Sequence, residues 1–121
     1  MRRISRSPLP LRSIPATPFQ SAEEAWFWYI RCQKARDDGA RPDPYASTIA
    51  RPCDPDDLYR AVKDLTTRRR ITHHHVRVLS EYGYSERPPD PRCREEQRPY
   101  RLWNEALDRL TTVLKHKEIL E

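Results

Sequence analysis

Between Arg60 and Arg77 the sequence sets six basic side chains, Arg60, Lys63, Arg68, Arg69, Arg70 and Arg77, against the single acid Asp64. Guanidinium and ammonium groups at that density neutralise phosphates and release their counterions, which is the sequence-independent part of nucleic-acid affinity. Thr66, Thr67, Thr72 and the run His73, His74, His75 add donors for sugar, phosphate or base edges. The candidate contacts are therefore Arg60, Lys63, Arg68, Arg69, Arg70, Thr72, His73, His74 and Arg77. A charge run of this kind is equally the solvated face of an ordinary helix, and both readings stand open.

Other chemistries are weaker. Imidazole and thiolate are zinc ligands, but Cys32, Cys53 and Cys93 stand 21 and 40 residues apart, without the close pairs of structural zinc sites. Adjacent histidines on a helix diverge by about 100°. No metal is expected. Nothing holds a Cys, a His and an acid in register for nucleophilic catalysis. The neighbouring carboxylates Asp56/Asp57 and Glu95/Glu96 point apart on a helix and suit the positive end of its dipole. Two glycines in the chain are too few for phosphate-cradling loops, which need several at fixed spacing. The expectation is a non-enzymatic protein with no catalytic residues and no cofactor.

The run Ala25 to Ile30, AWFWYI, is the longest apolar stretch, and at helical spacing it covers more than one face. Ala22, Ala25, Trp26, Tyr29 and Ile30 form an inward stripe. Phe27 and Trp28 point partly elsewhere and are candidate anchors for a protein partner or a homodimer, since large aromatics favour such positions.

The elements that must position these residues are helices. Ser21 and Glu24 have capping-box spacing, so a first helix should run from Ala22 to about Asp38, with Gly39 as its left-handed end. Residues 40–53, with three prolines and no periodicity, read as a loop. Asp54 as cap and Pro55 in the first turn open a second helix to about Arg69. Its apolar positions Leu58, Ala61, Val62 and Leu65 fall at i, i+3, i+4 and i+7. Thr72 caps a short third helix, His73 to Tyr82, facing inward through Val76, Leu79 and Tyr82 and ended by Gly83. After the proline-rich stretch Tyr84–Pro99, with a possible helical turn at Arg92–Gln97, the last helix carries Leu102, Trp103, Ala106, Leu107, Leu110, Val113 and Leu114 on one face to about Lys117. The fold class is all-α: a compact bundle of about four helices containing a helix-turn-helix-like unit, with a disordered basic N-terminal arm. Residues 1–18 are the arm and 19–121 a single helical domain.

In that unit the beginning of the third helix would enter a major groove, and the arginine-bearing arm a neighbouring minor groove. The turn TTRRRI lacks the glycine that commonly opens such turns.

The chain's 121 residues carry 23 basic and 18 acidic side chains. Arg2, Arg3, Arg6 and Arg12 lie in the acid-free first twenty residues, so the rest is almost neutral and charge matters only locally. No apolar run approaches the roughly 20 residues of a membrane span, and prolines break every candidate secretory core near the N-terminus. Three widely spaced cysteines do not form a disulfide framework. A cytoplasmic setting and no membrane partner are expected; an Arg- and Ser-rich transit peptide is the competing reading of the arm.

The pieces SAEEAWFW, RPCDPDDLYRAV, RRRITHHHVRVLSEYG and LWNEALDRL together resemble a group of small uncharacterised alphaproteobacterial proteins, over roughly residues 20–120. The resemblance implies a bacterial cytoplasmic setting and supplies no activity. The expectation from the residues is a DNA-binding regulator built on the basic helix-turn-helix-like unit. The alternative is an adaptor that docks a partner protein through the aromatic first helix and the amphipathic last one.

Overall fold

Residues 16–39 and 51–121 are described in the computed structural model of the chain; the arm up to residue 15 and most of the expected 40–53 loop lie outside the described residues. Four helices are present among the described residues: α1 (Ala22–Asp37), α2 (Pro55–Thr67), α3 (His73–Tyr84) and α4 (Gln97–His116), the last preceded by a 3-10 turn at Arg94–Glu96. The fold is all-α. Extended backbone pairs in one isolated bridge among the described residues, where Phe19 meets Leu120.

Local chemistry places the starts of α1, α2 and α3. The Ser21 hydroxyl accepts from the Glu24 amide at 3.1 Å, while the Glu24 carboxylate accepts from Gln20, one residue before the cap, at 2.7 Å. The Asp57 carboxylate accepts from the Asp54 amide at 2.9 Å, closing the reciprocal cap at the start of α2. At α3 an imidazole does the same work, because His75 Nδ1 accepts from the Thr72 amide at 3.0 Å.

All four helices end through a residue in left-handed backbone: Gly39, Arg69, Glu86 and Glu118, with φ of 69°, 60°, 56° and 61°. After α2, α3 and α4 the next residue donates back into the last turn, Arg70 to Leu65 at 2.8 Å, Arg87 to Tyr82 at 3.2 Å and Ile119 to Leu114 at 2.8 Å. This is the Schellman arrangement, built three times without the glycine that makes it cheap.

The α1 stripe and the α2 stripe are buried as their spacing implies. In α3 the buried residues are Val78, Leu79 and Gly83, with Val76 and Tyr82 half-buried. Gly83 does not end the helix as its type suggests. It lies within the last turn, where a Cβ would stand 2.8 Å from Trp26 Nε1 and 2.9 Å from Ile30 Cγ1, so its role is close approach to α1. Trp103, Ala106, Leu110 and Leu114 line the inner face of α4. Beyond α4 the chain turns back: Ile119 and Leu120 are buried, and Phe19 donates to the Ile119 carbonyl at 3.0 Å while Glu121 donates to that of Phe19 at 3.1 Å. The two ends of the domain are thereby tied together.

α1 and α4 pack on each other and both contact α2 and α3, whereas α2 and α3 share no extended interface with one another. Their joining turn brings α2's end to α3's start, with Ile71 buried as its anchor. In a DNA-binding helix-turn-helix the two helices meet at about 90–120°; here a cleft separates them. No helix among the described residues is long and apolar enough to cross a membrane.

Candidate nucleic-acid interface

The expected basic residues divide among three hollows and the α2–α3 turn. Arg60 and Lys63 of α2, with Arg68 at its C-terminal cap, line a groove of about 770 Å³ whose far wall is the end of α4, with Thr112, Val113, His116 and Lys117. Asp64 is the single carboxylate there among the described residues. Beside it, Arg68 and Arg70 join Arg109 of α4 around a smaller hollow of about 430 Å³. Lys63 also faces the opposite side of α2, where it lines the α2/α3 cleft with His73 and Arg77. Arg69 and Thr72 are exposed on the turn.

The partners of these cations set how readily they turn to an anion. Arg60 contacts Asp57 at 3.2 Å and Arg68 contacts Asp64 at 3.3 Å, each on its own helix, and Arg77 lies 4.0 Å from Glu81. All three guanidinium groups are at least two-thirds exposed, and such pairs contribute about 0–1 kcal/mol. They exchange easily for a phosphate. Lys63, Arg69 and Arg70 make no ion pair among the described residues. At the start of α3 the rings of His73 and His74 stand 4.1 Å apart, and His73 first, then burial, Arg98 and Arg77, lower the basicity of His74.

Part of this charge has a structural use. Arg68, His116 and Lys117 sit at helix C-termini, where cations offset the negative end of the dipole.

The three histidines differ in use. His73 and His74 are exposed, as a contact role requires. His75 is held between the Thr72 amide and the Glu105 carboxylate, 2.9 Å from Nε2. Because Nδ1 accepts from a backbone N–H, the ring proton is on Nε2 and is donated to Glu105.

Phe27 and Trp28, the expected partner anchors, are half-buried and engaged inside the chain. Phe27 stacks on Trp103 with centroids 5.6 Å apart, and Trp28 on Phe19 at 5.1 Å. The Arg51 guanidinium also lies over the Phe19 ring, 4.3 Å from its centroid. The cysteines are free thiols whose surroundings favour the protonated form. Burial raises Cys32 and pushes Cys53 to about 11, and a hydrogen bond to Glu95 raises Cys93. These are poor conditions for a thiolate nucleophile or ligand. No three potential metal ligands come together among the described residues.

Arg109, His116 and Lys117 were not among the expected contacts. Arg109 and His116 are seven apart and so share one stripe of α4, but which helix lies beside that stripe is a property of the fold. Set against protein-family models, curated proteins and solved structures, the chain matches none.

Proposed function

We propose that this protein binds nucleic acid, as a small non-enzymatic cytoplasmic protein, through the exposed side of α2, the Arg68–Arg70 turn and the end of α4. The observation that carries this reading is the α2/α4 groove, which Arg60, Lys63, Arg68, Lys117 and His116 line with Asp64 as the lone acid among the described residues. Cations from two helices converging on one concavity make a phosphate-binding strip that neither helix makes alone.

Exposed His73, His74 and Arg77 at the start of α3 supply side chains of suitable type for base edges. Helix-turn-helix-like docking of α3 is part of this proposal, with the arginine-bearing arm as a further phosphate contact. Three free thiols agree with a reducing compartment.

Titration of a random DNA duplex and a random single strand across about 50–200 mM salt tests the reading. Binding that weakens by orders of magnitude, and that drops when Arg68, Arg69 and Arg70 are all replaced by Ala, supports it. No binding at the lowest salt, or binding unaffected by the triple change, overturns it.

A further inference from the structure

The cleft between α2 and α3 is chemically unlike the groove on the other side of α2. Its floor is apolar and aromatic, made by Trp26, Tyr29 and Ile30 of α1, all less than a tenth exposed. Tyr59 of α2 and Tyr84 of α3 also line it and are 53% and 46% exposed, two of the three large apolar side chains most open to solvent among the described residues. Each leaves about half its surface free beside the buried aromatic floor, Tyr84 with Lys34 Nζ 5.8 Å from its ring centroid. The volume is about 800 Å³, within the roughly 300–1,000 Å³ of small-molecule sites. The cleft exists because α2 and α3 pack on α1 and α4 and not on each other.

The charge in its described lining has one sign. Lys63 and Arg77 lie there with His73, and no carboxylate is among the described lining residues. Glu81, the acid nearest Arg77, is 4.0 Å from its guanidinium and outside the lining. The hydroxyls of Thr66 and Ser80 offer further polar points. An apolar floor, tyrosine walls and a cationic rim complement a ligand whose ring system is apolar and whose edge is anionic.

We infer that the α2/α3 cleft is a binding site for a small amphipathic anion, an aromatic ring system bearing a carboxylate or sulfonate, with its rings over Trp26 and Tyr29 and its charge at Lys63 and Arg77. The inference rests on the cleft's own lining, of which Lys63, His73 and Arg77 are shared with the nucleic-acid reading. Anilinonaphthalene sulfonate has this chemistry and reports its own burial by fluorescence. Titrated into the full chain under native conditions, it should bind saturably at one site per chain and be displaced by 2-naphthoate. Ser80→Trp, which fills the cleft from an exposed position on α3, and Lys63→Glu, which reverses the rim charge, should each weaken binding at least tenfold. Circular dichroism should show both variants folded; if Ser80→Trp is not, Lys63→Glu carries the test. Absence of saturable binding, or equal affinity in the folded variants, overturns the assignment. So does a dye displaced by an oligothymidine strand but not by 2-naphthoate, which would give the cleft to unpaired bases.

Discussion

The indole N–H of Trp26 donates to the backbone carbonyl of Leu79 at 2.9 Å, joining α1 to α3 inside the core. One turn further along α3, Gly83 leaves room for the same indole, since a Cβ there would stand 2.8 Å from Nε1. Trp26 is 5% exposed and cannot swing aside without losing that bond. Gly83→Ala should therefore destabilise the domain by about 1–2 kcal/mol, the overpacking cost exceeding the helix-propensity gain of an alanine. Urea unfolding measures it; an unchanged or raised midpoint would show that α3 simply moves away from α1.

Arg69 illustrates a different cost. Its φ of 60° lies in the left-handed region, where a Cβ is unfavourable by roughly 1–2 kcal/mol. Arg69→Gly and Arg69→Ala remove the same charge, but only the glycine relieves the backbone. The glycine variant should be more stable than the alanine variant by about 1 kcal/mol. Equal unfolding midpoints would mean that the turn relaxes to another conformation once the arginine is gone.

Much of the helical layout was open to inference from side-chain type and spacing. Ala22, Ala25, Trp26, Tyr29 and Ile30 are all buried, because helical geometry leaves them one stripe and the caps at Ser21 and Asp54 fix where the helices begin. Gly83 misleads because a glycine near a helix end has two uses, a left-handed stop or a close approach, and only the position of Trp26 decides between them. Ile119 and Leu120 form too short an apolar pair to show periodicity, so their return to Phe19 depends on a tertiary contact. His75 resembled its neighbours in sequence, yet the Thr72 cap and Glu105 of α4 give it a structural task. The nine basic, hydroxyl and imidazole candidates were legible as residues. Their division between a groove and a cleft follows from α2 and α3 standing apart, which no local pattern encodes.

The connection before α4 should make stability acid-sensitive. Arg87 donates to both Glu96 oxygens, at 2.9 and 2.7 Å, and the Asp90 amide donates to Oε1 at 2.8 Å. The Arg87 bond first, then the Asp90 amide, hold the Glu96 carboxyl down from 4.5 to about 2. A carboxyl depressed in the folded state contributes stability that is present above its unfolded value and lost as pH falls through its folded value. The unfolding midpoint of the natural chain should thus decline between about pH 4.5 and 2. Glu96→Gln should be less stable near neutrality and show a shallower decline over that window. A decline of the same steepness in the variant would move the acid sensitivity to other carboxylates.

The two walls of the α2/α4 groove give the nucleic-acid reading its sharpest test. If phosphates bind there, Lys117 at the C-terminal cap of α4 contributes as Arg60 does on α2, although the two are distant in sequence. Lys117→Ala and Arg60→Ala should each lower the slope of log K against log salt by about 1 and weaken binding of unrelated sequences alike. Arg92→Ala, which removes an exposed cation paired with Asp90 in the α3–α4 connection, should leave the slope unchanged. A slope that responds to Arg60 and not to Lys117 would confine the contact to α2 and the turn. Equal loss in all three variants would reduce the effect to overall charge, because a groove acts through position and net charge does not.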